Sequence, residues 1–543
     1  MNKVKRNKLA SIIGAICLGT AFSSTSQAVT AEFDPATNQV EIPVVEVLNG
    51  TSSQFFRATL RLAPDGLLDL ISADPIPPAK GQERNVFDAA TGAVHFSSVS
   101  ALGGEFYAKL RLVPVEGPLR FTLEQLVNNT FEGCPDFATA GPAEGTCVLS
   151  GELIGNITLT KNTQWILNGN VFVGGDNDRQ SVITINPGTH IFGQQGNDFL
   201  MIRRGSKIMA EGTPDNPIVM AGALQQGPGE WGGLELHGRA PVNGCNEGVE
   251  VCELPNVAVQ TEFFGGNDPL DNSGVIKYVQ LLNTGFAVRP DEELNCLTMN
   301  GIGAGTLIDF VHCHNGADDG FETFGGTVNL KHIVATNMDD DSLDWQFGWQ
   351  GAAQFVLVQQ SDNFGDNGVE GDNQKVTESL PRSRPTVSNM TVTGSASVRD
   401  RQAMLLRVGT GGRIWNSVFT GFPVCITVDD EPTFLNAGAP GSLSGELTIN
   451  NSFVNCPVNF REGDGPTFTV AEWFLSQPGN NAEVNLGLNG FLPMAGSPLI
   501  GAGVTGAAAT VITPFIEPVD YAGAFRDEND DWTQEWTFPV IRR

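Results

Sequence analysis

The chain has 543 residues, of which 61 are acidic and 31 basic, so its formal net charge at pH 7 is −30. A chain this acidic repels nucleic acid and anionic lipid, and neither is predicted as a partner. After residue 28 no stretch is apolar for long enough to cross a bilayer, so no membrane-spanning segment is predicted.

Residues 1–28 have the pattern of a secretory signal peptide. A basic start that includes Lys3 and Arg6 precedes an apolar run from Leu9 to Phe22, and small residues end the segment at Ala28. Removing these residues takes away four basic side chains, which leaves 27 against 61 acidic ones and a formal charge of −34. We therefore expect a secreted protein, extracellular or at the cell surface, with the periplasm as the alternative.

Eight cysteines remain after Cys17, and they fall into pairs that are close in sequence. In an exported chain this spacing favours disulfides that each close a local loop. The predicted pairs are Cys134 with Cys147, Cys245 with Cys252, Cys296 with Cys313, and Cys425 with Cys456.

The N-terminal part of the mature chain alternates apolar and polar residues in two similar halves. The segments 40–48 and 55–62 are echoed by 94–102 and 106–112. This period of two predicts a small antiparallel β domain over residues 29–127. A polar linker rich in Pro and Gly follows over residues 128–157, and the predicted disulfide between Cys134 and Cys147 lies within it.

From residue 158 the sequence changes to short β-branched strands separated by Gly and Asn. Strand follows strand without an intervening helical pattern, as in residues 200–220, which read LMIRRGSKIMAEGTPDNPIVM. That phrase and GEWGGLELHGRA at 229–240 resemble the pectin-lyase-like right-handed parallel β-helix superfamily. The resemblance covers residues 158–501 and implies that fold there. Aligned strand starts are predicted at Ile276, Ile308, Leu330, Phe355, Val387, Ile414 and Ile449.

Residues 502–543 contain the aromatic-rich phrases DYAGAF and WTQEWT. They resemble the tail of an uncharacterised group of exported bacterial β-helix proteins. Because the open end of a solenoid exposes strand edges, we expect this segment to form a C-terminal cap. The predicted fold is therefore all-β, with a small antiparallel domain, a long right-handed parallel β-helix and a cap.

Three acidic segments recur every 22 to 26 residues within the predicted solenoid. They read Asp318-Asp319-Gly320-Phe321-Glu322, Asp340-Asp341-Ser342-Leu343-Asp344 and Asp366-Asn367-Gly368-Val369-Glu370. If coils of this period stack, the fourth residues form an inward apolar column and the last residues an outward acidic column. Carboxylates about 4.8 Å apart repel by about 3.5 kcal/mol at an effective dielectric of 20, so the column needs a cation, a basic neighbour, raised pKa values or solvent.

Carboxylate and amide oxygens without imidazole or thiolate are the ligands that Ca2+ prefers. The candidate ligands are Asp319, Glu322, Asp341, Asp344, Asp366 and Glu370. In the alternative interpretation, Asp and Asn merely begin turns at the corners of the coils. This alternative explains the leading Asp residues but leaves the outward Glu322, Asp344 and Glu370 unexplained.

Two further sets of residues could contribute to function. Arg407 is predicted to follow the acidic column on the next coil. Pectate lyases pair Ca2+ with an arginine that removes a proton, so the resemblance makes Arg407 a catalytic candidate. A salt bridge to Glu370 is the favoured alternative. Trp345 and Trp349, which flank the Gly348 turn, are candidates for an exposed platform that stacks on sugar rings.

The leading function is binding of carbohydrate or a cell-surface polymer through an acidic, Ca2+-loaded face. A polysaccharide lyase or glycoside hydrolase is the second interpretation, although the Arg-x-Pro-x-x-Arg and Gly-His-Gly signatures of such enzymes are absent. A structural protein of the surface or matrix is the third. A fold by itself does not choose among these three.

Overall fold

The computed structural model of the protein describes residues 30–538, apart from 50–51, 79–83, 102, 116, 130, 195, 247, 257, 290–291, 363–364, 396–400, 440–441, 483 and 505–513. The predicted signal peptide lies outside the described residues. The described chain forms two compact units, and the first holds the N-terminal sheet. The domain boundaries named above stay predictions.

The N-terminal unit is an eight-stranded sheet with the strand order β1-β2-β3-β4-β8-β7-β6-β5. Its strands are β1 (Ala31–Asp34), β2 (Gln39–Asn49), β3 (Ser52–Leu62), β4 (Leu68–Pro75), β5 (Asn85–Asp88), β6 (Ala93–Ala101), β7 (Gly104–Leu112) and β8 (Arg120–Asn128). Strands that are consecutive in sequence and adjacent in the sheet pair antiparallel. Two further pairs are parallel, β1 with β6 and β2 with β5.

The two halves of this sheet repeat the same local structure. Asp34 accepts hydrogen bonds from the Ala36 amide and the Thr37 hydroxyl. Asp88, at the equivalent position of the second half, accepts from the Ala90 amide and the Thr91 hydroxyl. The register also shifts at equivalent places, between residues 42 and 45 and between residues 96 and 99. The similarity read from the sequence therefore extends to the turns and bulges.

The second unit is a parallel β-helix in which each strand pairs with its equivalent in the next coil. Its first strands are β9 (Thr139–Ala140), β10 (Thr146–Leu153), β11 (Asn156–Leu159), β12 (Gln164–Val173), β13 (Val182–Ile185), β14 (His190–Gly193), β15 (Phe199–Ile202), β16 (Lys207–Glu211), β17 (Ile218–Gly222), β18 (Gly233–His237), β19 (Val251–Pro255), β20 (Phe263–Gly266), β21 (Gly274–Leu282), β22 (Phe286–Arg289), β23 (Glu292–Leu294) and β24 (Leu297–Asn300). The hairpins β19–β20 and β22–β23 are antiparallel insertions.

The β-helix continues through the coils that carry the acidic segments. The strands are β25 (Leu307–His314), β26 (Phe321–Phe324), β27 (Asn329–Thr336), β28 (Leu343–Gln346), β29 (Ala352–Gln359), β30 (Val369–Gly371), β31 (Thr386–Thr393), β32 (Gln402–Leu406), β33 (Gly412–Trp415), β34 (Val418–Thr420), β35 (Val424–Val428), β36 (Leu447–Asn450), β37 (Phe453–Asn455), β38 (Val458–Glu462) and β39 (Asn481–Ala482). After them, β40 (Leu488–Asn489) and β41 (Leu492–Pro493) form a separate antiparallel pair. The helices in the described chain are α1 (Glu431–Ala437) and α2 (Val470–Ser476). The predicted all-β class and parallel β-helix are confirmed.

The long strands of the β-helix bend in the middle, so that one strand serves two sheets. Tyr278, Phe310, His332, Phe355 and Asn389 occupy the bends with φ between 47° and 59°. Large side chains seldom adopt this left-handed conformation. The ring side chains among them stack on one another, with ring centroids 4.5 Å apart between Tyr278 and Phe310 and 4.2 Å between Phe310 and His332.

The register corrects one predicted strand position. Ile276, Ile308, Leu330, Val387, Ile414 and Ile449 do lie in one column. On β29 the residue in this column is Ala353, whereas the predicted Phe355 lies two residues later, at the bend. An apolar residue at a bend looks like a strand residue in sequence, which explains the error.

The C-terminal segment packs beside this stack. Trp532 lies 5.2 Å from His332 and Trp536 lies 5.8 Å from Phe310, measured between ring centroids. The Phe538 amide donates to Nδ1 of His312 at 3.2 Å. The described part of the segment thus covers the bends of consecutive coils.

All four predicted disulfides are present, between Cys134 and Cys147, Cys245 and Cys252, Cys296 and Cys313, and Cys425 and Cys456. Among the described residues, no helix combines the length and the apolar character that crossing a bilayer requires.

Candidate metal centre

The three acidic segments lie on consecutive coils and in register. Strands β26, β28 and β30 pair Phe321 with Leu343 and Leu343 with Val369. The same pairing aligns Glu322 with Asp344 and Asp344 with Glu370. Both predicted columns therefore exist, and the apolar one is fully buried, with at most 1% of each residue exposed.

The acidic column is far more enclosed than the sequence suggested. Glu322, Asp344 and Glu370 are only 6%, 7% and 7% exposed. Open solvent is thus not what offsets their mutual repulsion. Hydrogen-bond donors, protons or a cation must do so instead.

The two end members of the column have protein donors for both carboxylate oxygens. Glu322 accepts from Nε2 of Gln346 at 2.8 Å and also from Nδ2 of Asn295. Glu370 accepts from Nδ2 of Asn367 at 3.1 Å and from the guanidinium of Arg407. These contacts account for the ends of the column but not for its middle.

Asp344, the middle member, is different. Its Oδ1 atom is buried and has no hydrogen-bond partner among the described residues. A buried acceptor without a donor costs roughly 1–3 kcal/mol, and more when it is charged. Among the described residues, the middle of the column is therefore where a carboxylate oxygen lacks a hydrogen-bond donor.

The leading Asp residues have the structural role that the alternative interpretation assigned to them. Oδ1 of Asp319 accepts from the Asp341 amide at 2.9 Å, and Oδ1 of Asp341 accepts from the Asn367 amide at 2.6 Å. Each side chain thus ties its turn to the turn of the next coil. Each carboxylate also has a second oxygen, so this role leaves room for binding a cation.

Three sets of carboxylates bring one oxygen from each member within 4.8 Å of one another. They are Asp318, Asp319 and Asp340; Asp319, Glu322 and Asp344; and Asp340, Asp341 and Asp366. The second set is wholly buried and contains Asp344, whose Oδ1 has no partner among the described residues, whereas Asp340 and Asp366 are exposed. We call Asp319, Glu322 and Asp344 the inner triplet.

Burial and mutual repulsion raise the pKa values of seven carboxyl groups here: Asp318, Asp319, Glu322, Asp340, Asp341, Asp344 and Glu370. Burial, with the nearby Asp340 and Glu235 carboxylates, raises the pKa of Glu322 to about 8, although Gln346 and Asn295 act in the opposite direction. Burial, then Glu322 and Glu370, hold the pKa of Asp344 well above its ordinary range. Near neutral pH such groups are held as carboxylates only if a cation compensates them.

The residues present fit a hard divalent cation. The inner triplet offers carboxylate oxygens only, as Ca2+ binding requires, and no cysteine or histidine belongs to any of the three sets. Ca2+ takes six to eight oxygens, so solvent or ligand oxygens would complete its coordination.

Comparison with protein families was consistent with this architecture. A family model described as a pectate-lyase like beta helix domain matches residues 151–484, which is more than half of the chain. The chain belongs to this pectate-lyase-like β-helix family. Neither a search of curated proteins nor a search of solved structures found a match.

Within this pectate-lyase-like protein, Arg407 lies at the end of the acidic column. Its guanidinium contacts Glu370, and its Nε donates to Asp372 at 3.1 Å. The salt bridge that the sequence analysis favoured is present. The side chain is nevertheless 41% exposed, so Arg407 also presents positive charge to solvent beside the carboxylates.

Trp345 and Trp349 do not form an exposed platform, because both are fully buried. Nε1 of Trp345 donates to the Thr410 hydroxyl at 3.0 Å, and Nε1 of Trp349 donates to the Val328 carbonyl at 3.1 Å. The Gly348 turn between them is covered by a later insertion, since its amide donates to Oγ of Ser383 at 2.9 Å. Their role in the structure is packing.

Sequence reasoning missed Glu235, which continues the acidic column. Strand β18 pairs Glu235 with Thr298, and β24 pairs Thr298 with Glu322. Its phrase, Leu234-Glu235-Leu236-His237, lacks the preceding acidic turn of the other three segments. Only the alternation of side chains along the strand Gly-Gly-Leu-Glu-Leu-His could have indicated that Glu235 faces the same side of the sheet as Glu322.

Proposed function

We propose that the protein is an exported carbohydrate-binding protein that holds Ca2+ in its inner triplet. The observation that carries this proposal is Asp344, whose buried Oδ1 has no hydrogen-bond partner among the described residues and whose carboxylate has an oxygen within 4.8 Å of oxygens of Asp319 and Glu322. Family membership supports a carbohydrate-related function, and the four disulfides are consistent with an extracellular location.

In this site some residues of the chain would bind the cation and others would position its ligands. Asp319, Glu322 and Asp344 would hold the cation, while Asn295 and Gln346 fix the position of the Glu322 carboxylate. A bound Ca2+ would neutralise the column and offer coordination positions to hydroxyl or carboxylate oxygens of a polymer. The exposed Asp340 and Asp366 carboxylates lie in the neighbouring triplets, where they give this face its negative charge.

Binding to an array of polysaccharides, with Ca2+ or with a chelator, tests the proposal. The wild-type protein should retain at least one polymer only when Ca2+ is present, and Asp344→Asn should lose that retention. Asp339→Asn is the matched control, because Asp339 is an exposed neighbour outside the three carboxylate sets. Retention that is equally strong in chelator, or lost equally in both variants, would refute a role for the inner triplet.

A second candidate function, a polysaccharide lyase, is favoured by one observation. Arg407 is 41% exposed and touches the acidic column, as an arginine that removes a proton beside a metal-bound uronate would. Incubation with uronate polymers, followed by the ultraviolet absorbance of unsaturated products, separates an enzyme from a binding protein. Arg407→Gln should abolish such absorbance, whereas Arg413→Gln, an exposed arginine on β33, should not. If neither polymer binding nor cleavage is found, the structural-protein interpretation takes precedence.

A further inference from the structure

A second polar cluster lies one coil before the inner triplet. Glu235 and His237 project from one face of β18, and Thr298 and Asn300 from the same face of β24, with which they pair. All four are at most 3% exposed. We call these four residues the sealed chamber.

The inserted hairpin β19–β20 closes this chamber. Asn256, in the hairpin turn, donates from Nδ2 to Oε2 of Glu235 at 2.7 Å. Cys252 at the base of the hairpin is bonded to Cys245, and the buried Arg204 donates to the Cys252 and Gly265 carbonyls. The cover is therefore fixed by covalent and charged contacts.

Within the chamber, only one of the two carboxylate oxygens of Glu235 accepts hydrogen bonds from the described residues. Oε2 of Glu235 accepts from Asn256 and, at 3.3 Å, from Nδ2 of Asn300. In the part of the chain that the structure describes, Oε1 of Glu235 and Oδ1 of Asn300 have no hydrogen-bond partner, and both atoms are buried. Each of these two side chains is thus hydrogen-bonded through one polar atom, Oε2 of Glu235 or Nδ2 of Asn300, while its other polar atom lacks a donor.

The charge of Glu235 is also uncompensated by lysine or arginine. Across the described residues, the one ion-pairing side chain within 4 Å of Glu235 is His237, whose Nε2 lies 3.3 Å away. The Phe263 carbonyl lies 3.0 Å from Nδ1 of His237 and can only accept, so Nδ1 carries a hydrogen. When Nδ1 alone carries one, Nε2 accepts from Nδ2 of Asn256 at 3.4 Å and donates nothing to Glu235. A buried carboxylate in this setting needs a positive partner.

We propose that the sealed chamber binds one monovalent hard cation, Na+ or K+, through Oε1 of Glu235 and Oδ1 of Asn300. Carboxylate and amide oxygens are hard ligands, which excludes cations that prefer sulfur or nitrogen. A single carboxylate balances one positive charge, whereas the inner triplet supplies three carboxylates for a divalent ion. This site does not depend on the proposed function, because Thr298 separates Glu235 from Glu322 in the column.

Thermal melting of the wild-type protein in chelator tests the site without involving Ca2+. Solutions of NaCl, KCl and choline chloride at equal ionic strength should differ, with a higher melting temperature in NaCl or KCl. A ligand that binds only the folded state at a hundred times its Kd stabilises by about 2.7 kcal/mol, which melting resolves. Equal melting temperatures in all three salts would overturn the proposal, because a trapped water or a protonated His237 would then satisfy the chamber.

Two variants locate the effect. Glu235→Gln should abolish the difference between NaCl and choline chloride, and Asp344→Asn should leave it intact. Asp271→Asn is the control for loss of a buried carboxylate elsewhere, since Asp271 is 3% exposed and is held by Arg239. It should lower the melting temperature and keep the dependence on Na+ or K+. A dependence that survives in Glu235→Gln would place the cation elsewhere and refute the assignment.

Discussion

Replacing Asp344 with Asn should stabilise the protein in chelator and remove most of its stabilisation by Ca2+. Asp344 lies between Glu322 and Glu370 on adjacent strands, which are spaced about 4.8 Å apart. At an effective dielectric of 20, each fully charged neighbour repels it by about 3.5 kcal/mol. Raised pKa values relieve part of this repulsion through protonation. In chelator near neutral pH we therefore expect Asp344→Asn to increase the free energy of unfolding by on the order of 1–3 kcal/mol.

Ca2+ should stabilise the wild type much more than the variant. At a hundred times its Kd, a cation bound only to the folded state adds about 2.7 kcal/mol to the wild type. The variant has lost the central carboxylate and should gain little. Calorimetric melting of both proteins in Ca2+ and in chelator measures the difference, with Asp339→Asn as the control for loss of one exposed charge. If chelator leaves the wild type unchanged while Asp344→Asn is more stable in both solutions, the column holds no metal and the reasoning is refuted.

Three other predictions follow from the same contacts. In chelator, the free energy of unfolding should fall as pH rises from about 4.5 to about 8. Folding raises the pKa of Glu322 across that range, so the folded chain there holds more protons than the unfolded one. Urea titrations that show rising stability would contradict this. For the same reason Ca2+ binding near pH 7 should release protons, so calorimetric heats should differ between buffers of unlike ionisation enthalpy, and equal heats would count against it. Trp345→Phe should cost about 1–3 kcal/mol, because it removes the bond to Thr410, yet leave polymer retention unchanged; lost retention with an intact fold would restore a sugar-binding role.

The sequence was sufficient to predict the β-helix because its determinants are local and periodic. Phe321, Leu343 and Val369 recur at the coil period, and strand alternation then places Glu322, Asp344 and Glu370 together on the opposite side. Disulfides that close short loops were predictable for the same reason. Phe355 was misplaced because a residue with φ near 59° at a bend has the same apolar character as one in a strand.

The parts of the site that escaped prediction depend on contacts between distant segments. The insertion that contains Ser383 covers the Gly348 turn, and this explains the burial of Trp349. Asn295 and Arg407, from the coils on either side, donate to the end carboxylates, whereas Oδ1 of Asp344 has no hydrogen-bond partner in the part of the chain that the structure describes. Neither the enclosure of the column nor its unsatisfied middle can be read from the repeat itself.

The most direct test of the central claim is a crystal structure with a lanthanide in place of Ca2+, because lanthanides prefer the same oxygen ligands and scatter anomalously. Crystals of the chelator-treated protein would be soaked in the ion, and the anomalous difference map would locate it. We predict a peak bounded by Asp319, Glu322 and Asp344 that disappears in Asp344→Asn. No peak there, or a peak only between the exposed Asp340 and Asp366, would contradict the assignment of the inner triplet as the metal centre.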